Sequence, residues 1–182
     1  DTKGSHANLT PEYAAIPSEM RSVADYFGKE VLIDVTMRDV MNNIATLREK
    51  CGDRAILRTI HFLGENERVR GAVKAIGQDD FEEFLKMIKE SGDSSYKFLQ
   101  NVYCCSDVIH QNVSLALAVS ENILKDGKGV CRVHGGGFAG TIQAFVKNEY
   151  VDEYLNAMNG LFGDNACNVL KIRKYGGICV VS

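Results

Sequence analysis

Between two short β-branched segments, residues 130–134 and 141–147, the chain reads Arg132-Val133-His134-Gly135-Gly136-Gly137-Phe138-Ala139-Gly140. Three glycines in a row admit positive φ and leave no side chain to hold another group away from the main chain. The flanking segments are too short for helices and carry the residues that favour a pleated surface, so the local prediction is strand, tight turn, strand. A row of main-chain N–H dipoles in such a turn forms a nest for an anion, and a phosphate is a common occupant. The same glycines also serve where two pieces of chain simply pack closely. On the residues alone both readings stand.

The spacing of Gly135, Gly137 and Gly140 satisfies GxGxxG, but a dinucleotide-binding turn opens a helix. Here Thr141-Ile142-Gln143-Ala144-Phe145-Val146 follows and is strand-like, which argues against a Rossmann fold. No GxxxxGK[ST] sequence is present, so the turn is not a Walker A loop. Protein kinases place a glycine loop between strands, but no VAIK, HRD or DFG element accompanies this one.

Upstream of the turn the pattern is helical. Residues 1–16 carry no clear period and read as an ordered loop. Pro17 suits the first turn of a helix and Gly28 its end, with Met20, Val23, Ala24 and Phe27 at helical spacing. Residues 30–37 suggest a short strand, and 38–50 a helix. In 53–77, Ile56, Leu57, Ile60, Leu63, Val69, Val73 and Ile76 make an apolar stripe that predicts a packing surface. In 79–98, Asp79 with Glu82 three residues on reads as a capping box, with Phe81, Phe84, Leu85 and Ile88 along one face. Residues 106–124 carry Ile109, Val113, Leu117 and Leu124. After the glycine turn, 150–162 reads as a helix. Residues 168–174 alternate, and Tyr175-Gly176-Gly177 turns into a last strand at 178–181. Helices segregated from strands predict an α+β fold with an antiparallel sheet.

Composition sets bounds on function. A chain of 182 residues, 45% apolar and 25% charged, makes one large domain or one domain with an appendage. A formal charge of −3 exerts no general pull on nucleic acid or anionic membranes. No run of 18 apolar residues spans a bilayer and no leader-like amino terminus is visible, which predicts a cytoplasmic protein. Cys51, Cys104, Cys105, Cys131, Cys167 and Cys179 form no CxxC pair, so neither a zinc site nor a redox pair is signalled, and reduced, mostly buried thiols are expected. The chain opens at Asp1 without a methionine, as a fragment or trimmed chain would.

The glycine run resembles the third signature motif of the GHMP kinases, and within them the galactokinase pattern Arg-Met-Thr-Gly-Gly-Gly-Phe-Gly-Gly. It matches at Arg132, Gly135, Gly136, Gly137, Phe138 and Gly140, and departs at Val133, His134 and Ala139. The opening Asp1-Thr2-Lys3-Gly4-Ser5-His6-Ala7-Asn8-Leu9-Thr10-Pro11-Glu12-Tyr13 is similar to the galactokinase segment just beyond the catalytic aspartate. Many relatives follow that tyrosine with paired arginines, where this chain has Ala14-Ala15-Ile16-Pro17. Arg54-Ala55-Ile56-Leu57-Arg58 with Glu65-Asn66-Glu67-Arg68-Val69 resembles the R-A-x-H…E-x-x-R-V helix. Residues 84–91 resemble the F-x-x-L-M-x-x-S-H stretch, with Gly92 in place of the histidine. Cys105-Ser106-Asp107 stands at a poorly kept S-C-P-E-L-D segment, and Tyr175-Gly176-Gly177-Ile178 resembles the tail. The resemblance thus runs from end to end over roughly the second half of a galactokinase.

This resemblance implies a carboxy-terminal GHMP kinase domain over 1–182, with residues 1–16 an active-site-proximal loop. It implies a four-stranded antiparallel sheet covered by helices, ferredoxin-like at its core. The activity implied is transfer of the γ-phosphate of Mg-ATP to the 1-hydroxyl of galactose. The phosphate cradle, the Mg²⁺ ligands and the base-like aspartate would lie in an amino-terminal ATP-binding domain outside this chain. The chain alone is then expected to be inactive, to bind no metal and no cofactor, and to hold no catalytic residue. What it would supply is one wall of the cleft. The turn of Gly135, Gly136 and Gly137 would abut the phosphate, Tyr13 would lie against the sugar, and His134 would hydrogen-bond a substrate oxygen. Arg132 and Ser91 are weaker candidates, and an arginine flanking a strand, as Arg132 does, is more often a surface ion-pair partner. His134 and the absent arginine pair leave room for a kinase of another sugar, or for a protein that senses sugar and ATP without turnover. A free-standing interaction module is the further alternative.

Overall fold

The computed structural model describes residues 1–5 and 7–172. Seven α-helices and a two-stranded antiparallel sheet make up these residues, so the class is mixed α and β. The helices come first: α1 (Thr10–Tyr26), α2 (Met37–Asn42), α3 (Ile44–Cys51), α4 (Asp53–Gly77), α5 (Phe81–Ser94) and α6 (Asn112–Leu124). The hairpin β1 (Gly129–Val133) and β2 (Ile142–Val146) follows, then α7 (Val151–Phe162).

Two apolar cores hold these parts together. Val23, Ala24, Leu32, Val35, Val40, Leu47, Ala55 and Ile56 join α1 to α2, α3 and the start of α4. Val102, Val113, Ala116, Leu117, Leu124, Cys131, Val133, Tyr154 and Met158 join α6, the hairpin and α7. In the hairpin Gly129 pairs with Val146 and Val133 with Ile142, so the register delivers residues 134–141 as the connection. Cys131 and Val133 alternate with Arg132 along β1, which sends the two apolar side chains into the core and the arginine toward the opposite face. On that face α5 lies so close that a Cβ on Gly92 would sit 3.0 Å from Arg132 Cβ and 3.2 Å from the Cys131 carbonyl oxygen. That approach explains a glycine there.

Several expectations are corrected. Helix α1 begins at Thr10, so 10–16 is helical rather than loop. Pro11 fills the first-turn position expected of Pro17, and Pro17 sits inside the helix. Gly28, at φ 63°, does end it, with Lys29 N–H closing on Ala24 O. Residues 30–37 form no strand: Leu32 and Val35 are buried three apart around a 3₁₀ turn, and Val31 and Ile33 face solvent. The helix expected over 38–50 is two, broken at Asn43. Its cap is a capping box of Thr36 with Asp39. The cap of α5 is Asp80, which accepts from Glu83 N–H at 3.0 Å, because Asp79 takes φ 54° in the reversal after α4. Residues 106–111 are not helical, since Asp107 accepts from the main chain of Ile109 and His110, and Ile109 stays exposed.

The stripe on α4 is buried only in its first half; Val69, Val73 and Ile76 are exposed. A helix of 25 residues is roughly 37 Å long and outruns the layer beneath it. Residues 168–172 are not in a strand, and Leu170 and Ile172 are exposed. Residues 173–174 and the strand expected at 178–181 lie outside the described residues. Cys51, Cys104, Cys105, Cys131 and Cys167 are free thiols. Among the described residues no helix is long and apolar enough to cross a membrane.

Candidate functional site

The hairpin connection is built from the residues that predicted it. His134 N–H donates to Thr141 O at 3.0 Å and closes the turn. Beyond it Gly135 takes φ 71°, Gly137 φ 83° and Gly140 φ 90°, all in the left-handed region that glycine enters freely. Phe138, at φ 57°, is in the same region despite its side chain. It is held there by burial and by contact with Tyr13, whose ring meets it edge-on at 5.2 Å. Gly135 and Gly136 are exposed. Among the described residues no hydrogen bond takes up the N–H of either.

Three distant segments fasten this turn. Tyr13, on the first turns of α1, donates its hydroxyl hydrogen to Gly137 O at 2.7 Å. Its ring lies so near that a Cβ on Gly136 would be 2.9 Å from Cε1. Partial burial pushes the Tyr13 phenol above its ordinary value, so it remains a donor near neutrality. Thr2 donates both its N–H and its hydroxyl to Gly140 O, each at 2.7 Å, and Asn112 Nδ2 in turn holds Thr2 O at 3.0 Å. The third fastening is Asn101. Its carbonyl accepts from Phe138 N–H at 2.5 Å, and its side-chain Nδ2 donates to Gly136 O at 3.2 Å.

Tyr13 and the glycine turn are therefore brought together. His134 stands exposed at the end of β1, on the rim of an open cleft shared with β2 and α7. Arg132 and Ser91 are also brought together, but away from the turn. Arg132 Nη1 donates to Ser91 Oγ at 2.6 Å and approaches Glu65 Oε1 at 3.5 Å. Ser91 is buried and donates to Glu65. Arg68 Nε donates to Glu65 Oε2 at 2.8 Å, and its Nη2 to Ser94 Oγ at 2.9 Å. Buried His61 meets the same Ser94 through Nδ1 at 3.0 Å. This polar seam ties α4 and α5 to β1, so its role here is to fix the strand from which the turn emerges.

Burial is the largest influence on the Glu65 carboxyl and by itself would raise it. The hydrogen bonds from Ser91 and Arg68, with the Arg68 charge, outweigh burial and hold it below the ordinary value. A depressed carboxyl contributes stability that is present above its unfolded value of about 4.3 and lost as pH falls through its folded value. Glu65→Gln is therefore expected to flatten the acid limb of the stability curve below about pH 4.3. Urea midpoints measured across that range check this, and an unchanged slope would remove Glu65 from the account.

Sequence reasoning missed Asn101, Thr2 and Glu65 as parts of this arrangement. The contacts that bring them into it cross 26 to 138 positions of chain. Among the described residues no three His, Cys, Asp or Glu side chains are placed to hold a metal ion. The arrangement offers main-chain N–H donors, a phenol-braced wall and an exposed imidazole. These suit binding and orientation of an anionic or hydroxylated ligand.

No family profile matches the chain. The galactokinase of Glaesserella parasuis serovar 5 (strain SH0165) is 29% identical over 178 residues, covering 97% of this chain and 43% of that protein. That of Haemophilus influenzae (strain PittEE) is 27% identical over 177 residues, with the same coverage of 97% and 43%. That of Actinobacillus pleuropneumoniae is 30% identical over 148 residues, 81% of this chain and 36% of the relative. Among solved structures, Lactococcus lactis galactokinase complexed with galactose aligns with a TM-score of 0.70 at 21% identity, over 89% of this chain and 40% of that one. The chain thus spans less than half the length of the relatives it matches. The similarity to galactokinases extends through nearly all of it.

Proposed function

We infer that this chain is the carboxy-terminal part of a galactokinase, an ATP-dependent sugar kinase that transfers the γ-phosphate of ATP to the 1-hydroxyl of galactose. The observation that supports this most is the turn of Gly135, Gly136 and Gly137, in which Gly135 and Gly136 are exposed and Tyr13 is braced against the main chain. In this reading the protein is cytoplasmic, and β1 and β2 are two strands of a four-stranded, ferredoxin-like sheet.

Phosphoryl transfer depends on positioning and charge stabilisation more than on covalent chemistry from the protein. The turn would present main-chain N–H dipoles to the transferred phosphoryl group, where charge develops. Tyr13 would lie against the sugar, and its bond to Gly137 would couple sugar position to turn position. His134 would donate to or accept from a sugar oxygen. Mg²⁺, where it is bound, screens the phosphate charges; its ligands, the phosphate cradle and the base would come from an amino-terminal domain. No described carboxylate cluster fits the ion, so no step here runs through it. On its own the chain would lack turnover.

A second reading, a kinase for a related sugar, is favoured by His134 and by the missing arginine pair after Tyr13. The test is ADP release by the intact gene product, with Mg-ATP and galactose set against a panel of sugars. Galactose-dependent release is the expected result. Much stronger release with another sugar would move the assignment to that sugar. Binding of ATP and galactose without any release would make the protein a sensor.

A further inference from the structure

We propose that Asn101 is the positioning residue of the glycine turn, setting the direction of the Gly137 N–H toward the transferred phosphoryl group; this rests on the kinase reading above. Asn101 follows the π-helical turn Ser95–Leu99 and is 3% exposed. Its own placement is unusually constrained. Gln100 takes φ 55°, with its N–H on Ser95 O at 2.8 Å. Leu99 O accepts from Arg58 Nε at 3.1 Å, and Arg58, 1% exposed, is anchored to Glu19 at 2.9 Å.

From that fixed point Asn101 makes two bonds of opposite polarity to successive peptide planes. Its Nδ2 draws the Gly136 carbonyl inward. Because a trans peptide sets its C=O and N–H in opposite directions, the Gly137 N–H points away from Asn101. Its main-chain carbonyl draws the Phe138 N–H inward, which turns the Gly137 carbonyl outward, to the Tyr13 hydroxyl. Two planes are thus locked in a peptide pair that φ 83° at Gly137 leaves free to flip. The lock is in contact: a Cβ on Gly137 would lie 1.9 Å from Asn101 O and 2.7 Å from Nδ2. Among the described residues the buried Oδ1 has no hydrogen-bond partner. An unpaired buried acceptor is costly, and it is kept here beside a side-chain donor whose work is at the turn.

The test uses Asn101→Ala in the intact protein that carries this segment, with Ser120→Ala as control. Ser120 is buried in the α6–α7 core, bonded to Tyr154, and remote from the turn. The first readout is amide hydrogen exchange of the peptide spanning 133–141. The second is kcat set against the KM for the sugar. Asn101→Ala is expected to speed exchange in that peptide on the order of tenfold, and to lower kcat on the order of tenfold or more with sugar KM little changed. Ser120→Ala should do neither at an equal loss of Tm. Unchanged exchange in Asn101→Ala, or the same changes in Ser120→Ala, overturns the proposal. If Asn101→Ala does not fold, Asn101→Ser is read by the same criteria. An intact protein with no turnover on any sugar would sink the kinase reading, and the exchange readout would still decide whether Asn101 sets the turn.

Discussion

Gly137→Ala is expected to lower stability by roughly 4 kcal/mol, at the upper end of single substitutions. Two costs add. An L residue at φ 83° carries strain of about 1–2 kcal/mol. The new methyl also meets the Asn101 carbonyl oxygen at 1.9 Å, and that atom is main chain, held in place by Arg58 and Gln100. Relief therefore requires moving the turn or the segment 99–101, and either movement breaks the bond from Phe138. The neighbouring glycines give the comparison. Gly135→Ala has φ 71° and no neighbour within 4 Å, so only the strain, about 1 kcal/mol, remains. Gly136→Ala would press on the Tyr13 ring at 2.9 Å, displacing a side chain rather than main chain, and should fall between the two. Urea midpoints of the three variants order them. Equal losses at Gly135 and Gly137 would show that the contact with Asn101 carries no weight.

The second large effect lies beneath the site. Arg58 is buried between α1 and the 99–101 segment, bonded to Glu19 on one side and Leu99 O on the other. Glu19 also binds Arg54, which is half exposed. The two guanidiniums shift in opposite directions: the hydrogen bond that Arg54 donates to Glu19 raises Arg54, whereas burial lowers Arg58. The difference follows exposure, since Arg58 gives up far more of its water than Arg54 does. Removing one partner of a buried pair strands a charge and costs about 3–5 kcal/mol. Glu19→Ala should therefore cost about 3 kcal/mol, the low end because Glu19 itself touches solvent. Arg58→Met should cost clearly less, since Glu19 keeps Arg54 and the apolar side chain fills the space. Paired denaturation curves decide it; Arg58→Met as damaging as Glu19→Ala would mean the bond to Leu99 O is the larger part.

The legible parts of the molecule were those written in local pattern. The glycine run and its β-branched flanks specify a hairpin because turn chemistry and strand propensity agree within ten residues. The stripe of α5 is legible for the same reason. The stripe of α4 misled at Val69, Val73 and Ile76, because periodicity reports a face without reporting whether anything covers it. Residues 30–37 misled because β-branched content marks an extended chain and says nothing of a partner strand. Within the site, Tyr13 and the glycines were legible through resemblance. Arg132 and Ser91 were singled out separately, and only their folding together shows that both answer to Glu65. Asn101 carried no signal, since its contacts arise 35 positions away and depend on a reversal at Gln100 that no local pattern marks.

The wide spacing of these contacts bears on synthesis as well. Thr2, Tyr13 and Asn101 emerge from the ribosome long before the glycines they hold, and chains fold from the amino terminus as they are made. The core of α1 to α4 has all its members by residue 63 and can consolidate early. The glycine turn has no local nucleus and must wait until residue 140 is free to close on Thr2. Nascent chains shorter than that would hold a finished helical half beside an unassembled cleft. Slow translation through 130–140 would lengthen the interval in which a protease or a chaperone meets them.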